Sequence, residues 1–181
     1  NHDAQGFPAL DYLLYGLGNS GADIIAKFTT DTNAAGYKQY LTDVLNQMSS
    51  LTDQVFTDWA SSYRNEFVTN TGNTDVSALN KFTNDYIEYY ERKLRANKFG
   101  IPAGVFSSDP LPQKVEAYYN QNVSKELALE SLEAFKDFFE GKYKGNANAN
   151  RSSYQHYLEA LDRSDLANAI ILQLNSAKTQ I

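Results

Sequence analysis

The sequence predicts an all-α fold, an up-and-down antiparallel helical bundle. Three observations carry that prediction. Apolar residues recur near a 3.6-residue period through several long windows. No window keeps the two-residue alternation of a strand. The gaps between windows are marked by glycine, proline and asparagine, which stop helices and build turns. Long amphipathic helices joined by short connections make a bundle.

The first element is Gly6-Phe7-Pro8-Ala9-Leu10-Asp11-Tyr12-Leu13-Leu14-Tyr15-Gly16. Pro8 suits a first helical turn, where its missing N–H costs nothing. Leu10, Leu13, Leu14 and Leu17 follow at helical spacing. Asp11 stands beside this apolar stripe, and a carboxylate there must be paired, metal-bound or near water. Gly16-Leu17-Gly18-Asn19-Ser20-Gly21 reads as a break, and Phe28 to Ala35 as a polar loop. The organisation is therefore a motif helix with its glycine-rich break over residues 1–21, then a helical bundle over residues 22–181.

Next comes a long helix from about Tyr37 to Val68. Its stripe holds Leu41, Val44, Leu45, Met48, Leu51, Val55, Phe56, Trp59, Tyr63 and Phe67. A turn at Asn70 to Asn73 leads to a third helix, from about Thr74 to Asn97, with Val76, Leu79, Phe82, Tyr86, Ile87, Tyr90 and Leu94 on one face. Lys98-Phe99-Gly100-Ile101-Pro102-Ala103-Gly104 carries its stop signals. Pro110 and Pro112 precede a segment from Gln113 to Asn122. Ser124 suits the cap of a helix bearing Ala128, Leu132, Phe135 and Phe139 that stops at Gly141. Gly145 to Asn150 is a polar low-complexity loop. A short helix with Tyr154, Tyr157, Leu158 and Leu161 follows. Ser164 then opens a final helix with Leu166, Ile170, Leu174, Ala177 and Ile181.

Composition narrows the chemistry. The 181 residues suffice for a real core, burying roughly 70% of the unfolded surface. A net charge of −6 argues against a nucleic-acid partner. No apolar run is long enough for a transmembrane helix. The chain has no Cys and two His, His2 and His156. Thiolate sites and Cys nucleophiles are excluded, and a multi-His zinc site is nearly so. The His-Glu-x-x-His helix of zinc peptidases and the Gly-x-Ser-x-Gly elbow are absent. Neither His has a Glu three residues before it, so the di-iron bundle signature is absent too.

The opening run resembles the motif of the imelysin family of bacterial periplasmic and lipoprotein-type proteins. That motif is Gly-x-His-x-x-Glu or Gly-x-Pro-x-x-Glu followed by an aromatic-Leu-Leu segment. Here it reads Gly6-x-Pro8-x-x-Asp11, with Glu shortened to Asp. Trp59 near the end of a long helix, the Lys98–Gly104 segment, and Val115-Glu116-Ala117-Tyr118 with Ala where Ser is usual also resemble family segments. So do Tyr154-Gln155-His156-Tyr157-Leu158 and Ser164-Asp165-Leu166-Ala167.

The resemblance implies two helical bundles in full members, this chain corresponding to the motif and the C-terminal bundle without the N-terminal one. It implies a periplasmic or cell-surface location with a lipid anchor in the parent protein. It also implies a non-catalytic binding role linked to acquisition of iron or another metal. The family name implies the alternative of a metallopeptidase, and a structural or protein-interaction module is a third reading. No catalytic residue is assigned. The binding residues expected are Gly6, Pro8, Asp11, Lys98 and Glu116, with Asp11 the one candidate ligand for a metal ion such as iron. Lys98 and Glu116 can join Asp11 in a polar cluster or serve as solvated charges at bends. His2 sits at a terminus, and His156 reads as a packing residue. The partner expected is an N-terminal bundle of the same protein or a second copy, docked through the Leu10–Leu17 helix.

Overall fold

A computed structural model of the chain describes residues 4–143 and 152–181. Helices dominate, and no strand is present among the described residues. The fold is an all-α helical bundle, as the periodicity predicts. The chain folds as two compact units, Asn1–Tyr89 with Glu116–Gln121, and Tyr90–Val115 with Asn122–Ile181.

The first unit begins with α1, Gly6–Asp11, which runs on into a π-helical turn, Tyr12–Gly16. Next is α2, Gly21–Thr29, a helix that the glycine-rich break conceals in the sequence. Ser20 caps it by accepting from the Asp23 N–H at 3.2 Å, which satisfies one orphan donor of the first turn. The long helix is α3, Ala34–Asp58, continued by a π-helical turn, Trp59–Tyr63, and by α4, Arg64–Thr69. α1 and α2 both pack on α3. Buried Ala9, Leu13 and Val44 mark that packing. Beyond Met48 the α3 stripe keeps its helical period but stays exposed, Leu51, Val55, Phe56 and Trp59 included. Periodicity identifies the apolar face; whether another element lies against it is a separate matter. Trp59, Tyr63 and Phe67 stack along the helix, and Phe67 meets Phe82 of α5, Ala78–Glu88, edge to face.

In the second unit, the chain from Tyr90 completes a π-helical segment, Tyr89–Gly100. α6, Ser124–Glu140, ends where left-handed Gly141 and Lys142 donate to Phe138 and Asp137 carbonyls, the hydrogen-bond pattern of a Schellman stop. α7, Tyr154–Ala160, and α8, Ser164–Gln180, follow. Ser124 and Ser164 are first helical residues rather than caps, one position off the sequence expectation. The core is Leu94, Leu132 and Leu174, with Tyr90, Phe135, Ile170, Ala177 and Ile181 packed around it.

Lys178 of α8 donates to Glu133 of α6 at 2.8 Å. That bond holds the Glu133 carboxyl below its ordinary value of 4.5. A depressed carboxylate adds stability above that value and loses it as pH falls through the folded-state pKa. Thermal melts should therefore show stability falling below about pH 4.5, with a shallower fall in Glu133→Gln. An identical acid limb in both proteins would remove this pair from the account.

Candidate functional site

The motif helix places its residues by simple helical geometry. Gly6 opens α1 at φ +62°, a left-handed conformation that glycine takes without a Cβ penalty. Pro8 lies in the first turn, where no intrahelical donor is needed. Ala9 and Leu13, four apart, share the buried face against α3. Asp11, two residues from each, projects from the other side. Tyr40 of α3 donates to the Ala4 carbonyl at 2.6 Å and ties down the start of the motif.

Asp11 reaches a segment more than a hundred residues away in sequence. Its Oδ2 accepts the Tyr119 N–H at 2.9 Å, and its Oδ1 accepts the Asn120 N–H at 3.1 Å. Hydrogen bonds to an ionised acceptor are roughly twice as strong as neutral ones. They hold a turn that is strained on its own account. Ala117 sits at φ +53°, where a residue with a Cβ is disfavoured by about 1–2 kcal/mol. The Asn120 N–H also donates to the Ala117 carbonyl at 3.0 Å and closes that turn.

Tyr119 is held by its ring as well as by its amide. A Cβ added at Gly16 would lie 2.6 Å from Tyr119 Cδ1 and 2.6 Å from Tyr12 Cδ2. Gly16 is therefore a socket for two rings, and it ends the π-helical turn as an intact helical residue. The Tyr12 and Tyr119 ring centres are 5.1 Å apart, as are those of Tyr118 and Tyr119. Replacing Gly16 with alanine should displace Tyr119 and loosen its bond to Asp11. The check is the amide NMR spectrum: Tyr119 and Asn120 resonances should shift and exchange faster, with α6–α8 unchanged. Unperturbed Tyr119 and Asn120 amides would show that the socket tolerates a methyl group.

The structure brings Gly6, Pro8, Asp11 and Glu116 into the first unit, Glu116 opening the segment that Asp11 holds. Lys98 lies in the π-helical segment of the second unit. The partners of Asp11 among the described residues are a pair of main-chain amides. Main-chain donors leave no trace in residue type, so this pairing was invisible, as were Gly16, Ala117 and Tyr119. His156 is engaged locally with Ser153. Its N–H donates to Ser153 Oγ at 3.2 Å, and its Nδ1 lies 3.1 Å from the same hydroxyl, at the start of α7. Phe56 and Trp59 are exposed rather than core residues. His2 and the Gly145–Asn150 loop lie outside the described residues.

A metal ion at Asp11 would need further ligands beside it. Iron and other hard or borderline cations gather several oxygen or nitrogen ligands. Among the described residues no group of three or more His, Cys, Asp or Glu could hold one. Both Asp11 oxygens already accept amide protons.

Comparison with known families gives a match over the whole chain: the family model described as Imelysin covers residues 1–181. No curated protein and no solved structure matches.

Proposed function

Because the chain belongs to the imelysin family, we propose that it is an extracytoplasmic, non-catalytic binding protein serving the acquisition of iron or another metal. The carrying observation is the use of Asp11. The acidic residue of the motif holds the Glu116–Gln121 turn through two main-chain bonds. A carboxylate so engaged shapes the surface around that turn. The residues of the chain supply no zinc-peptidase ligand set, which supports the same reading over the peptidase that the family name suggests. Among the described residues no helix is long and apolar enough to cross a membrane; attachment through a lipid anchor is part of the same proposal. The exposed side of the motif helix, with Leu14 and Tyr15, is the surface offered to a second bundle or a second copy.

The test is genetic and enzymatic together. A strain lacking the protein should grow normally with ample iron and poorly when iron is chelated from the medium. The wild-type gene should restore growth. Growth indifferent to iron would overturn the acquisition role. Chelator-sensitive cleavage of an unfolded protein substrate, above a heat-killed control, would replace it with the peptidase reading.

A further inference from the structure

The first unit contains one piece that is not continuous with the rest of it. Glu116–Gln121 belongs to that unit, while Val115 and Asn122, its neighbours in sequence, belong to the second. The backbone over residues 116–120 is turn and bend, with no helix or strand. None of these residues is buried, and Tyr118 and Tyr119 are 38% and 46% exposed. Asp11 accepts the Tyr119 and Asn120 amides, and the Tyr119 ring rests at Gly16 and against Tyr12. Glu116 has a further interaction. Against these contacts stands left-handed Ala117, at φ +53°. Its cost disappears once the segment is free to take another conformation. A segment with little buried area, few bonds and internal strain opens at a lower free energy than the core beneath it.

We propose that Glu116–Gln121 is a releasable strap over the motif helix, with Asp11 and Gly16 as its latch. In the closed state both Asp11 oxygens are taken by the chain's own amides. In the open state the strap leaves as one piece, Ala117 relaxes, and the Asp11 carboxylate and the Tyr12 ring pass to solvent. No helix unfolds in this step, because α1 keeps its own packing on α3 through buried Ala9 and Leu13. The motif site therefore has two states, whatever it serves. A partner that needs the Asp11 oxygens binds only the open one, and its apparent affinity falls with the open fraction. The strap thus sets access to the acidic residue of the motif.

The test is residue-resolved amide exchange of the intact chain by NMR, repeated at low urea concentrations. Tyr119 and Asn120 should exchange together, at least about tenfold faster than the buried Val44 of α3. Their rates should hardly depend on urea, because opening the strap exposes little surface. Val44 should show the full urea slope of unfolding. Ala117→Gly then separates a strained strap from a loose loop. Glycine takes φ +53° without a Cβ, which favours the closed state, less the freedom it adds to the open chain. Exchange at Tyr119 and Asn120 should slow about threefold, with Val44 unchanged. A Val44-like urea slope at Tyr119 and Asn120 would make the segment part of the core and overturn the strap. Exchange at the rate of unstructured chain would remove the closed state. Equal or faster exchange in Ala117→Gly would remove the strain that drives release. None of these readouts depends on iron, so the strap and the acquisition role fail separately.

Discussion

Truncating Leu13 to alanine should destabilise the first unit by about 2–5 kcal/mol, the range for emptying a buried leucine site. Leu13 is 1% exposed, and the other buried apolar residues described in that unit are Ala9 and Val44. So small a core has little with which to refill the space, and the loss belongs in the upper part of that range. The measurement is a urea melt followed by Trp59 fluorescence, since the single tryptophan lies in the first unit. Its midpoint should fall sharply. Leu14→Ala is the control, because Leu14 is 45% exposed and next in sequence. Leu132→Ala, at a 2% exposed site in the second unit, should leave the tryptophan-reported midpoint nearly in place if the units unfold separately. A Leu13→Ala melt that overlays the Leu14→Ala melt would mean that α1 contributes little to the stability of its unit.

The helical character of the chain was legible because it rests on period, and period survives in sequence. The stop at Gly141 was legible for the same kind of reason: a glycine after an apolar run is a local signal. What failed was of two kinds. α2 was hidden because three glycines and an asparagine surround Leu17 and Ser20, and together they read as a break. The Ser20-x-x-Asp23 pairing is the local signal that marks its start. The second failure concerns what lies against a face. The stripe from Leu51 to Tyr63 has core periodicity but remains open in this unit. A sequence pattern states which side of a helix is apolar and is silent on what covers it. The π-helical turns add to this, since each shifts the register of the residues after it. At the site, Asp11 was legible from its setting, a carboxylate beside an apolar stripe that had to be satisfied. Its partners were not, because amides are common to nearly every residue and the pairing spans most of the chain.

Asp11→Asn should cost about 1–3 kcal/mol, the range for leaving polar groups unsatisfied at such a site. The carboxylate offers an acceptor oxygen to each amide, Oδ2 to Tyr119 and Oδ1 to Asn120. Asparagine offers one oxygen and one NH2, so whichever way it turns, a donor faces a donor. The Asn120 amide, the more sheltered of the two, is then left to the Ala117 carbonyl alone. The strained φ at Ala117 loses the force that opposes it, and the Glu116–Gln121 turn should relax. Hydrogen exchange at Tyr119 and Asn120 should accelerate beyond what the loss of global stability explains. Combining Asp11→Asn with Gly16→Ala separates a shared device from two independent ones. Both changes act on one turn, so their combined cost should be less than the sum, since a turn already released cannot be released again. Strict additivity would mean that the socket and the carboxylate hold different things. A wild-type melt in Asp11→Asn, with unaltered exchange, would mean that the turn keeps its shape without the motif's acidic residue.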